Sequence, residues 1–157
     1  MIEQIKSKVS KAADLKEFCQ KLIWGLSNEI QASQGAFFIK VNKDNINYLR
    51  FVAGYAYQLP DTQPIEFEFG DGLAGQVAKG GEAIIFSTVP DGYIKILSGL
   101  GKSTPTSLAI FPLKQNGEVI GVIELASFTT FGENEQQLFS DISSTFSEQL
   151  ASFMAKK

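Results

Sequence analysis

Histidine is absent from the 157 residues, and cysteine occurs once, at Cys19. The first absence removes imidazole as a general base, histidine-ligated haem and every zinc site that needs a ring nitrogen. The second removes an intrachain disulfide, a paired-thiol redox motif and a thiolate metal cage. Arginine is nearly missing: Arg50 is the only one among fourteen basic residues, which face seventeen acidic ones for a net charge of −3. Nucleic-acid binders carry a basic surplus with arginines for phosphate, so no nucleic-acid partner is expected. Apolar runs long enough for a bilayer, about 18–20 residues, do not occur. The opening MIEQIKSKVSKAAD mixes Glu3, Lys6, Lys8 and Lys11 with apolar residues, unlike a signal peptide. No membrane partner and a cytoplasmic location are the expectation.

What remains is ordinary globular material, 44% hydrophobic and 20% charged, without internal repeats or low-complexity tracts. A chain of this length buries about 68–70% of its unfolded surface and folds without a metal or disulfide. One domain over residues 1–157 is expected.

Ile2, Ile5, Val9 and Ala12 form an apolar seam, and after a phase shift Leu15, Phe18, Leu22, Leu26 and Ile30 form a second. The spacing predicts one N-terminal helix over residues 1–33, kinked at the shift and stopped near Gly35. Ala36–Val41 and Ile46–Tyr57 read as a hairpin around the polar turn Asn42-Lys43-Asp44-Asn45. Glu66-Phe67-Glu68-Phe69 alternates as a short half-exposed strand does. Asp71 is placed to cap a helix over Leu73–Lys79 that ends at Gly80-Gly81, and Ala83–Phe86 reads as a short strand. A long connection follows over residues 87–106, then a second hairpin, Leu108–Lys114 and Glu118–Phe128, around Asn116-Gly117. Pro112 inside its first strand implies an edge or a bulge. A final helix, 132–155, opens at Glu133 and Glu135 and carries the stripe Leu138, Ile142, Phe146, Leu150 and Phe153. Mostly antiparallel strands between terminal helices make an α+β fold. Two stripes longer than one sheet face needs point to a homodimer through these helices, with Ile5 and Phe146 at the seam. The alternative is that both stripes cover one face of the sheet.

Little of the chain has the form of catalytic machinery. Gly70-Asp71-Gly72-Leu73-Ala74-Gly75 matches a dinucleotide fingerprint, but the preceding strand is half exposed and no βαβ unit surrounds it. A tight turn and close helix packing explain these glycines better. Gly101-Lys102-Ser103 resembles the end of a phosphate loop whose first glycine is missing. Ser98, Thr106 and Ser127 have no histidine to activate them. Cys19, beside Phe18 and Leu22, reads as a small buried residue. Glu124 stands in an apolar strand and is the carboxylate best suited to face a pocket.

From FGDGLAGQVAKGGEAIIF through TSLAIFPLKQNGEVIGVIELAS to FGENEQQLF the chain resembles a GAF domain. The resemblance implies a GAF/PAS-like central antiparallel sheet, the N- and C-terminal helices packed on one face, and a small-molecule pocket under the 87–106 connection on the other. Cyclic-nucleotide-binding members carry an NK…FxxxDE signature; the corresponding residues here are Ala126-Ser127, Phe131 and Glu135-Gln136. Bilin-binding members need a chromophore cysteine or pocket histidines, and members that reduce free methionine sulfoxide use pocket cysteines. No cofactor is expected. The resemblance implies a non-enzymatic sensor that binds a small organic ligand and passes the event to its helices and to an output domain such as a kinase. Tyr93, Ile96, Ser98 and Leu100 from the connection and Phe51, Phe111 and Glu124 from the sheet are the expected ligand-binding residues. A ligand-free dimerisation module is the first alternative and a GAF-type reductase the second.

Overall fold

A computed structural model describes residues 2–56, 66–86 and 107–155. The N-terminal stretch is two helices rather than one, α1 (Ile2–Val9) and α2 (Leu15–Ile30). The break coincides with the phase shift of the two stripes. Asp14 stops continuation there: it is extended, and its carboxylate accepts from the Glu17 N–H at 2.8 Å. Helix α2 ends on Gln31 in a left-handed conformation, φ 59°, four residues before the expected Gly35.

Gly35 lies instead in β1 (Gln34–Lys43), where it lets α2 approach. A Cβ at that position would stand 2.7 Å from Ser27 Oγ. Strand β1 turns into β2 (Ile46–Tyr55) through Asp44 and Asn45, both at positive φ, as a tight hairpin of this hand requires. The short strand β3 (Glu66–Glu68) follows, then α3 (Gly72–Gly80), which ends on Gly81 in a left-handed conformation. Asp71 occupies the capping position, but its side chain makes no capping bond. After β4 (Ile84–Phe86), β5 (Ser107–Gln115) and β6 (Glu118–Ser127) form the second hairpin across Asn116-Gly117, both at positive φ. Pro112 lies past the end of β4, whose pairing with β5 stops at Ile84↔Ile110, so its missing N–H costs no ladder bond on that side. Helix α4 (Glu133–Ala155) closes the chain.

The strands form one antiparallel sheet in the order β3-β2-β1-β6-β5-β4. Helices α2 and α4 cover one face with Phe37, Ile39, Ala109, Phe111, Leu113, Ile123 and Leu125 beneath them, and α1 packs on these two helices. Helix α3 packs on the other, with Phe38, Leu49, Ile110 and Val122. This is the expected α+β architecture. Ile5 and Phe146 are in the first of these cores, 1% and 2% exposed, so neither reaches across an interface in the folded chain. The outward faces of the terminal helices carry Lys6, Lys8, Lys16, Gln20, Ser140, Ser144, Glu148 and Ser152. The stripes of α2 and α4 cover the chain's own sheet, and that of α1 packs against those two helices.

Candidate functional site

Side chains of a strand alternate between faces, so the pairing register sorts the strand residues. On the α3 face, one row across the sheet runs Gln34, Ala126, Leu108 and Phe86. The next runs Gly54, Ala36, Glu124, Ile110 and Ile84. Beyond it stand Phe51, Phe38 and Val122. Phe38 meets Phe51 edge-on at 5.9 Å between ring centroids and Phe67 at 5.3 Å. The face is therefore apolar and aromatic, with a half-buried carboxylate, Glu124, at its middle.

Two of the expected ligand-binding residues, Phe51 and Glu124, thus share the α3 face. Phe111 does not. It lies on the helix-covered face, 2% exposed and stacked on Phe139 with centroids 5.1 Å apart. It also floors a cleft of about 420 Å³ between α4 and the β4 end, beside Ser140, Ser143 and Ser144. Counting alternate residues from Ile110 places Phe111 with the helices; the sequence offers no sign of which face they cover. Tyr93, Ile96, Ser98 and Leu100 lie outside the described residues. Phe38, Phe67 and Gln34 were missed. The alternation of Glu66-Phe67-Glu68 held a signal for Phe67, but β1 is apolar on both faces, so nothing marked which of the adjacent Phe37 and Phe38 joins it.

Glu66 accepts from Lys43 Nζ and from Arg50 Nε, the latter at 2.5 Å, and these two cations hold its carboxyl below the usual carboxylate range. Arg50 ties β3 to β2, and Lys43, the last residue of β1, joins the same carboxylate. Among the described residues no cluster of three metal-ligating side chains occurs. Cys19 is fully buried under the helices, and burial pushes its thiol far up. It should resist a thiol reagent in the native state and react on unfolding, which a native-against-denatured labelling time course reads. The sign for stability follows: unfolded chains lose this proton above about pH 8.5 while the folded chain keeps it. The contribution is therefore intact below that pH and is lost as pH rises. Comparing unfolding midpoints with Cys19→Val across that range isolates the slope.

A GAF-domain family model matches residues 12–155. The chain belongs to the GAF-domain family. Solved structures of the same fold include the GAF domain of a phosphoenolpyruvate-protein phosphotransferase from Coxiella burnetii, 22% identical, TM-score 0.79, covering 99% of this chain and 93% of that one. The corresponding GAF domain from Acinetobacter is 14% identical, with a TM-score of 0.77 and the same coverages of 99% and 93%. Free methionine-R-sulfoxide reductase from Neisseria meningitidis, in complex with its substrate, is 19% identical with a TM-score of 0.73, covering 98% and 87%. No curated protein matches by sequence.

The reductase corrects one expectation. Absence of histidine and of paired cysteines removes particular mechanisms, but this GAF domain shares its fold with enzymes. A fold does not separate binders from catalysts, so the expectation of a non-enzymatic domain does not stand. GAF domains are commonly regulatory or ligand-binding. Among the described residues no helix is long and apolar enough to cross a membrane.

Proposed function

We propose that this domain holds a small organic molecule against the α3 face of its sheet and passes the binding event to the helices behind it. The observation that carries this is Glu124, a half-buried carboxylate at the middle of an apolar, aromatic sheet face. Such a face, with few polar groups, suits a ligand that is flat and predominantly apolar. The carboxylate oxygens accept hydrogen bonds, which suits a ligand that presents an N–H. Transmission has a short path. Strand β1 bears Ala36 and Phe38 on the ligand side and Gly35 and Phe37 on the helix side. A shift of β1 therefore presses on Ser27 of α2. At the adjoining β6, a Cβ on Gly121 would stand 2.8 Å from Leu150 of α4, so that contact is equally close. A ligand moves this equilibrium only by binding one helix arrangement better than the other. The phosphotransferase relatives carry their GAF domains within larger proteins, which supports an output domain attached to the helices.

Thermal-shift screening of the full chain against flat neutral and cationic metabolites tests the proposal. A compound at about a hundred times its Kd adds about 2.7 kcal/mol by mass action. Glu124→Gln should cut the shift of compounds that donate a hydrogen bond, and Phe51→Ala should cut the shift of every aromatic one. A screen in which nothing raises the wild-type melting temperature overturns the reading.

A further inference from the structure

Gln34 is 5% exposed, and its Nε2 has no hydrogen-bond partner. A buried donor left unmade is unfavourable, so its retention calls for an explanation. Its direction is fixed by its neighbour: Gly35 faces α2, where a Cβ would meet Ser27 and Ile23, so Gln34 faces the opposite side of the sheet. That is the face of Glu124. Gln34 pairs with Ala126 and Ala36 pairs with Glu124, which makes Gln34 and Glu124 diagonal neighbours across β1 and β6. Such positions are about 7–8 Å apart at the backbone and within reach of long side chains.

We infer that Gln34 and Glu124 together read a lactam edge, a carbonyl beside an N–H, on a planar ligand that carries no carboxylate. This inference rests on the binding reading above and names the ligand class for that site. The Gln34 Nε2–H donates to the ligand carbonyl, and the ligand N–H donates to the Glu124 carboxylate. The lactam edge is planar because it is an amide, and the aromatic side chains of Phe38 and Phe51 stand in the next row. A ligand carboxylate finds no partner in the two rows: their described members, Gln34, Ala126, Leu108 and Phe86 with Gly54, Ala36, Glu124, Ile110 and Ile84, include no lysine or arginine.

The test is calorimetric titration of the full chain with three lactams, uracil, hypoxanthine and 2-quinolone, each against its N-methylated counterpart. At least one lactam should bind, and its N-methylated form should bind about tenfold more weakly or worse. Gln34→Met keeps the length and removes the amide. It should weaken the bound lactam about tenfold while raising the melting temperature of the free protein, since the unmade donor is gone. A glutamine with a purely structural role would do the reverse on replacement, lowering the melting temperature and leaving affinity alone. Glu124→Gln, which leaves Gln34 in place, should weaken the same lactam. Equal binding of a lactam and its methylated form, or a lower melting temperature for Gln34→Met, overturns the inference. If all three lactams fail while another compound of the broader screen binds, the lactam assignment falls and the binding site stands. If no compound binds at all, both fall.

Discussion

Phe146→Ala is expected to remove about 3–5 kcal/mol of folding stability. Phe146 is 2% exposed in the core between the helices and the sheet and meets Phe18 edge-on, with ring centroids 6.2 Å apart. Phe18 in turn packs on Phe153 at 5.3 Å, so the truncation opens a void where α2 and α4 meet. Surrounding rings relax only in part, which adds a cavity cost to the lost transfer energy. For a chain of this size the melting temperature should fall by roughly 6–20 °C. The denaturation midpoint should fall without a change of slope, the mark of lost stability rather than altered compactness. Phe146→Asp should go further and leave the chain unfolded, because an unpaired carboxylate has no partner in that core. A well-folded Phe146→Asp chain that has merely lost self-association would instead place this residue at an interface between copies.

Gly75 gives the second large effect, with a sign that helix propensity alone would reverse. Glycine inside a helix is about 1 kcal/mol worse than alanine, so Gly75→Ala in α3 would stabilise an isolated helix. In the folded domain a Cβ there would stand 3.0 Å from the Glu68 carbonyl oxygen and 3.1 Å from the Gly70 nitrogen. These are backbone atoms of the turn between β3 and α3. The same turn is laced to itself and to the helix: Gly70 N–H donates to the Gly75 carbonyl at 2.8 Å, and Asp71 N–H to that of Glu68 at 3.0 Å. The turn cannot yield as a flexible side chain would. Overpacking of this kind costs about 1–3 kcal/mol, so Gly75→Ala should come out less stable than wild type. Gly75→Val, bulkier and β-branched, should lose about 3 kcal/mol. Chemical denaturation measures both, and hydrogen exchange in α3 should rise before exchange in the sheet does. An alanine variant at or above wild-type stability would show that α3 can move away from the turn at no cost.

Gly75 also shows how much was readable beforehand. The fingerprint match at Gly70–Gly75 was understood as turn and packing, and the close approach is what the fold requires of it. Asn116-Gly117 located its hairpin, and the Asx-rich turn at Asp44-Asn45 located the other. The phase shift near Ala12 was visible, but its reading as a kink was too mild, because the capping carboxylate of Asp14 separates two helices. Within the candidate site, Glu124 stood out as a charge in an apolar strand, whereas Gln34 had nothing to distinguish it from any polar residue at a strand start. Phe51 shares the α3 face with Glu124, whereas Phe111 lies under the helices.

The sequence by itself determined the elements, their order and their turns, because glycine and Asx backbone preferences, capping and apolar periodicity act within a few residues of chain. Tertiary structure alone decided which face each strand residue occupies and which of them share a site. Strands β1, β5 and β6 are apolar on both sides, so alternation marks two faces without saying which the helices cover. The bulges at Phe37/Phe38 and Leu113/Lys114 then shift the phase partway along the ladders. One extra residue exchanges the faces of everything beyond it, and only the pairing between distant strands reveals where that happens.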